Sequence, residues 1–210
     1  FFPILIGSFF QQLYNTVDTI IVGQTVGTSA LAAVGSTGNL TNLIINFYVG
    51  LSTGASVVIA QYYGAQNNKK IHQAVHTSYS LAIVSGILMM LFGLFFSYQC
   101  LDAIGTPHDI LNDATLYMQF YFLCMIPGAI YNIGAGILRA VGDSKRPLYY
   151  LIVCSIVNVV FDFIFVVIFH QGIAGAAIAT VIAQFVCAIL VTIQLMRTNE
   201  VYKLTLSKMK

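Results

Sequence analysis

Charge is what this sequence has least of: Asp, Glu, Lys and Arg make up 8% of its 210 residues, against about 25% in an ordinary soluble domain. Together with 58% apolar residues, that scarcity excludes a fold built on one water-shielded core. It points instead to an all-α, polytopic membrane protein. The short motifs of catalysis are missing as well. There is no P-loop, HExxH, GxSxG or Rossmann glycine pattern, so neither a hydrolase nor a nucleotide-driven pump is indicated, and no enzyme or resident cofactor is expected. The four cysteines form no CxxC and no His/Cys metal spacing; Cys124, Cys154 and Cys187 lie in apolar runs and read as small hydrophobes. Basic residues are dispersed over loops, which argues against a nucleic-acid partner. The opening residues, FFPILIGSFFQQ, have neither an initiator Met nor a charged signal n-region, so the sequence reads as beginning inside its first helix.

What is there is a series of long apolar runs. Hydropathy and breaker residues predict six transmembrane helices, at about 1–22, 30–60, 74–98, 114–138, 147–169 and 173–196, followed by a basic linker over 197–210. Lys69 and Lys70 follow the second run, Arg139, Lys145 and Arg146 the fourth, and Arg197, Lys203, Lys208 and Lys210 the sixth. All nine basic residues therefore fall on one side. By the positive-inside rule that side is cytoplasmic, so the chain is expected to be integral to the cytoplasmic (inner) membrane with its amino terminus and basic loops in the cytoplasm. His72 and His76 flank the inner end of the third helix with no ligand partner in view, and His170 reads as a polar boundary residue.

Two carboxylates lie inside the runs, Asp18 and Asp162, where an ionised group costs roughly 2.5–3.5 kcal/mol to insert. Gln11, Asn15 and Asp18 sit at i, i+4 and i+7 and make one polar stripe. Ser155, Asn158 and Asp162 make another, with Asn158 one turn from Asp162. Helix rise puts Asp18 about 7 Å and Asp162 about 12 Å below the outer helix ends, so both could serve one site. Asn132, Thr180 and Gln184 add neutral oxygens at similar depth. Asn39, Asn42 and Asn46 form a stripe on the second helix, where helix-to-helix bonding is the simpler role. Asp, Asn and Thr oxygens suit a hard cation such as Na⁺, expected at Asp18, Asn158 and Asp162. A buried carboxylate without its cation takes a proton instead, so one site can bind either ion. Pro3 and Pro127 each remove a backbone donor and kink their helices. A weak repeat links Asn15–Ala33 with Asn158–Ala177.

The runs LYNTVDTIIVG, GASVVIAQYYGA, ILRAVGDSKRP and NVVFDFIFV followed by GIAGAAIAT resemble the multidrug and toxic compound extrusion (MATE) transporters, within the multidrug/oligosaccharide flippase superfamily. The Asp in the first helix and the Asn-x-x-x-Asp in the fifth resemble the DinF-like branch. The resemblance implies one six-helix lobe of a twelve-helix, two-lobe antiporter, with the carboxy-terminal lobe as the missing partner. It implies exchange of Na⁺ or H⁺ for small organic, often cationic, compounds by alternating access, with membrane lipid around the bundle. By position it implies a cation site at Asp18, Asn132, Asn158, Asp162 and Thr180, with Gln11, Asn15, Asn39, Asn42 and Gln184 near the substrate chamber. Pro3 occupies the place of a hinge proline. The rival readings are a lipid or lipid-linked oligosaccharide flippase of the same superfamily, and a non-transporting membrane scaffold.

Overall fold

In this computed structural model the described residues are 28–205, together with positions 6, 7, 9, 13, 16, 17, 20, 21 and 23 of the preceding segment. Pro3, Gln11, Asn15 and Asp18 lie outside the described residues, as do 206–210 of the linker and the side chain of Asn39.

From Thr28 onward the described chain is helical, with no strand among the described residues. Its elements are α1 (Thr28–Ser36), α2 (Gly38–Gly64), α3 (Asn68–Ala103), α4 (Leu111–Leu123), α5 (Met125–Ala140), α6 (Lys145–Asp162), a π-helical segment (Phe163–Ile168) and α7 (Gly172–Arg197). Four of these stretches are long and apolar enough to cross a membrane: Leu40–Gly64, Asn68–Ala103, Lys145–Ile168 and Gly172–Arg197. The bent pair α4 and α5 makes a fifth when taken as one span. The all-helical membrane architecture read from composition is the one observed. Large apolar side chains such as Leu43, Leu88, Phe95 and Ile156 point outward and are well exposed, as they are when lipid rather than water is the solvent.

The elements differ in detail from the six expected runs. The stretch expected at 30–60 is divided at Thr37, whose hydroxyl turns back to the Val34 carbonyl oxygen at 2.7 Å. The third run is longer than 74–98: Asn67 caps it by accepting the Lys70 amide at 3.2 Å, and it continues to Ala103. The expected 114–138 helix starts earlier and breaks at Cys124 with a 46° bend. Pro127 has no N–H for the Leu123 carbonyl and its ring crowds that carbonyl, so the ladder fails one turn before the proline. Asp143 accepts the Arg146 amide at 3.2 Å and also pairs with its guanidinium at 3.3 Å, opening α6 where Pro147 needs no intrahelical donor.

Small residues set how closely the helices approach. A Cβ on Gly86 would come within 2.8 Å of the Ile126 Cα, and one on Gly134 within 2.7 Å of Val191. Gly136 lies against Ser52 and Ser56 in the same way, and the Ser52 hydroxyl donates to the Asn132 carbonyl oxygen at 2.6 Å. These contacts bring α3 onto α5, α5 onto α7 and α2 onto α5, the small-residue packing expected in the absence of water. Loops 65–67 and 141–144 and the segment after α7 gather at one end, called here the basic end.

The segment after α7 returns onto the bundle. The Leu204 amide donates to the Leu195 carbonyl oxygen at 2.8 Å, and Tyr202 and Leu204 are buried. His76, also buried, holds the next residue. Its Nδ1 lies 2.7 Å from the His72 carbonyl oxygen, so Nδ1–H donates there and Nε2 accepts the Thr205 amide at 3.0 Å. His76 therefore has partners that its spacing did not reveal. Replacing His76 with Ala removes this anchorage, and cleavage by trypsin after the exposed Lys203 should accelerate about tenfold, the equivalent of one to two modest hydrogen bonds. An unchanged cleavage rate would show that Leu204 alone holds the segment.

Candidate functional site

The site starts from α6. Cys154, Asn158 and Asp162 recur every four residues and so share one helix face, and all three are buried, Asn158 at 1% exposure and Asp162 at 0%. Across from them α7 offers Thr180, Gln184 and Cys187. The Asn158 Nδ2 donates to the Thr180 Oγ1 at 3.3 Å, and that hydroxyl donates on to the Ala176 carbonyl oxygen at 3.1 Å. Asn158 Oδ1 is buried and takes no hydrogen bond among the described residues. An acceptor stripped of water costs about 1–3 kcal/mol when it has no donor or cation to bind. Asp162 is the last residue of α6, one turn outward of Asn158 on the same face.

Beyond Asp162 the helix widens. In the π segment the Phe169 amide reaches the Ile164 carbonyl oxygen at 2.9 Å and the Gln171 amide reaches Phe165 at 2.9 Å, a loosened ladder of the sort found beside functional groups. His170 and Gly172 then turn the chain at φ values of 52° and 59°. Gly175 of α7 fits against Phe165, where a Cβ would meet backbone at 3.1 Å. Nothing in the residue spacing announces this widening; the apolar run FIFVVI reads as ordinary helix.

A cavity of about 560 Å³ runs beside this face. Its wall includes Asn42 and Tyr48 of α2, Tyr117 and Tyr121 of α4, Asn132 and Arg139 of α5, Asn158 of α6, and Thr180 and Gln184 of α7. The broken joint contributes Cys124, Met125 and Gly128. Of the residues expected at the site, Asn158 and Thr180 are joined directly, and Asn132, Asn42 and Gln184 share the cavity with them. The Asn132 Nδ2 is spent on the Gly128 carbonyl oxygen of its own helix at 2.9 Å. Ser155 likewise turns to Leu151 at 2.8 Å. Asp162 is fully buried and is not among the described residues of the cavity wall.

One pairing was not foreseen. Cys154 and Cys187, read as separate small hydrophobes, face each other across α6 and α7 as a disulfide with Cα atoms 5.9 Å apart. Both border the cavity one turn from Asn158 and from Gln184. A sequence separation of 33 residues carries no motif, and only the register of the two helices brings the sulfurs together. Cys124 stays a buried free cysteine, and Cys100 is free and partly exposed.

Comparison with known proteins places this geometry in context. A family model described as MatE matches residues 3–164. The probable multidrug resistance protein YoeA of Bacillus subtilis is 30% identical over 202 residues, covering 94% of this chain and 44% of that protein. The DNA damage-inducible protein F of Escherichia coli is 26% identical over 184 residues, covering 87% of this chain and 40% of that protein. A crystal structure of MATE in the bent conformation superposes with a TM-score of 0.91 at 28% identity, over 99% of this chain and 46% of that one. The chain thus spans about half the length of the proteins it matches.

The Asn158–Thr180 bridge makes a stability prediction. Thr180→Val removes the acceptor while keeping the volume, and should lower stability by about 0.6–1.7 kcal/mol, read as a lower unfolding temperature in detergent. Ser155→Ala, which removes only a bond within its own helix, serves as the comparison and should have the smaller effect. Equal effects would mean the bridge contributes nothing between helices.

Proposed function

The chain belongs to the MatE family of membrane transporters, and on that premise we propose that it forms one lobe of an efflux antiporter exchanging Na⁺ or H⁺ for a small organic compound. The observation that carries this reading is the wholly buried Asp162 on the same α6 face as Asn158, one turn from a bridge to α7 whose residues border a cavity of about 560 Å³. At a carboxylate enclosed among membrane-spanning helices a proton or a hard monovalent cation can each offset the charge, so the two can exchange there. Asn158 Oδ1, buried and without a hydrogen bond among the described residues, supplies a further oxygen, and Thr180 Oγ1 another. Asp18, expected on the first span, is assigned the second carboxylate of the site, and Pro3 the hinge.

Alternating access then follows from local compliance. The π segment next to Asp162 and the joint at Cys124 are two of the places where the described helices give up regular hydrogen bonding, the division at Thr37 being another. A change of occupant at Asp162 alters the charge at the end of α6, and these weak points let the outer half of the lobe adjust while the packed glycine contacts hold the rest. A second lobe of similar size completes the chamber, and the surrounding lipid seats the outward apolar faces. The YoeA name favours a multidrug cargo. A lipid-linked oligosaccharide flippase would need a broad basic wall for its phosphates, whereas Arg139 is the one charged residue of the cavity wall among the described residues.

Efflux by the full-length protein in vesicles tests this reading. With a Na⁺ or proton gradient imposed, Asp162→Asn should lose at least about tenfold in gradient-driven dye efflux, because the Asn cannot exchange one cation for another. Asp162→Glu should keep part of it. Unimpaired efflux by Asp162→Asn would exclude this carboxylate from coupling.

A further inference from the structure

Beside the break between α4 and α5 lies a second, outward-opening groove of about 360 Å³, formed by α3, α5 and α7. Ile126, Pro127 and Ile130 border it from α5, and Phe185, Ile189 and Ile193, 41–53% exposed, from α7. The groove turns away from the chamber. Ile130 stands two residues from Asn132 and Ile189 nine from Thr180, about 200° and 180° around their helices at roughly 100° per residue. Gly7 of the preceding segment packs against Leu148 and Leu151 of α6, on the chamber side. The two polar side chains of the groove are spent on each other. The Thr192 hydroxyl donates to the Ala188 carbonyl oxygen at 2.6 Å, so the Tyr79 hydroxyl donates to Thr192. Among the described residues no side-chain donor is left there for an occupant. Phe185, Ile189 and Ile193 lie along one i+4 ridge of α7, and that ridge continues to Arg197. Arg197 is exposed and makes no ion pair among the described residues. From Phe185 to Arg197 is about 18 Å along the axis, close to the roughly 15 Å hydrocarbon depth of one leaflet. Counted over the whole sequence, the stretches that carry the nine basic residues hold two of the seven acids, Asp143 and Glu200, and Asp143 is paired with Arg146.

We propose that this groove and Arg197 form a site for an anionic phospholipid, with one acyl chain in the groove and the phosphate on the guanidinium. The chemistry of the groove calls for hydrocarbon: its lining is aliphatic and aromatic, its polar groups are already paired, and its rim faces the lipid. The charge at its end calls for phosphate, which the planar fork of Arg197 binds through two oxygens at once. The length fits one leaflet, so a chain anchored at Arg197 ends beside Phe185 and Pro127. Because Ile126 and Pro127 belong to the joint at Cys124, the chain packs against the bent pair from the side opposite the chamber. A second lobe that closes the chamber leaves the groove open to the bilayer, and the site is independent of what the chamber carries. Ordinary boundary lipid behaves differently. It covers every outward apolar face alike and is indifferent to the headgroup, and an arginine that serves only to orient the helix is indifferent to which lipid is present.

The experiment uses the full-length protein in phosphatidylcholine nanodiscs at low salt. The probes are phosphatidylglycerol and phosphatidylcholine, each with a diazirine at the end of one acyl chain and each added alone as a minor component. After irradiation, the labelled peptides are identified by mass spectrometry. The phosphatidylglycerol probe should label residues 126–130 and 185–189 about fivefold more than the phosphatidylcholine probe, the effect of one basic side chain near the surface. Arg197→Gln should abolish that preference while leaving phosphatidylcholine labelling within about twofold, and Arg197→Lys should keep part of it. Ile189→Trp, a bulkier side chain on the rim, should cut labelling at 126–130 by both probes, whereas Leu88→Trp on another outward face should not. Equal labelling by the two probes, a preference that survives Arg197→Gln, label spread evenly over the outward faces, or label at 126–130 that ignores Ile189→Trp would each overturn the site. None of these results would bear on coupling at Asp162, which gradient-driven efflux reads separately.

Discussion

A carboxylate removed from water at membrane depth is the constraint on which the rest of this structure turns. Asp162 is fully enclosed, and its position is set by helix geometry: one turn from Asn158, at the last regular turn of α6. The neighbouring groups are arranged around the same need. Asn158 holds Thr180 with its amide hydrogens and keeps its oxygen in reserve. The backbone beyond Asp162 relaxes into a π segment, and Gly175 lets that wider segment pack against α7 without displacing it. A regular helix with an ordinary side chain at position 175 would not accommodate the same arrangement.

The scaffold combines rigid and compliant parts. Contacts at Gly86, Gly134 and Gly136 bring helices close enough that even a methyl group would force a shift, and such interfaces resist sliding. The joint at Cys124 and the π segment interrupt the regular hydrogen-bond ladder, and both lie beside the cavity or the buried carboxylate. At the basic end His76 ties the segment after α7 back to α3. The covalent exit from the bundle is thereby mechanically linked to the helix that packs on the broken pair α4 and α5.

Much of this was legible in the residues. Apolar composition and the length of the runs gave an all-helical membrane bundle, because in lipid the backbone has almost no other choice. The i, i+4 spacing of Asn158 and Asp162 put them on one face, since helical periodicity alone decides that. Thr180, Gln184 and Asn132 could be placed by depth, and they do border the same cavity as Asn158. What could not be read depends on register between helices or on backbone irregularity. Cys154 and Cys187 meet only because α6 and α7 pack in one particular phase. The π widening of FIFVVI has no compositional mark, and the break at Cys124 precedes the proline that causes it. His76 looked solitary because its partners are backbone atoms of a distant segment, and Arg139 looked like a topological charge because its proximity to the cavity is a property of packing.

The central claim is that the carboxyl of Asp162 exchanges a proton for a cation. Infrared difference spectroscopy of the full-length protein reads that event directly. A protonated-carboxyl stretch should be present at low pH, disappear on raising the pH or adding Na⁺, and be absent from Asp162→Asn. A carboxyl band that ignores both pH and Na⁺, or that persists unchanged in the Asn variant, would contradict the account.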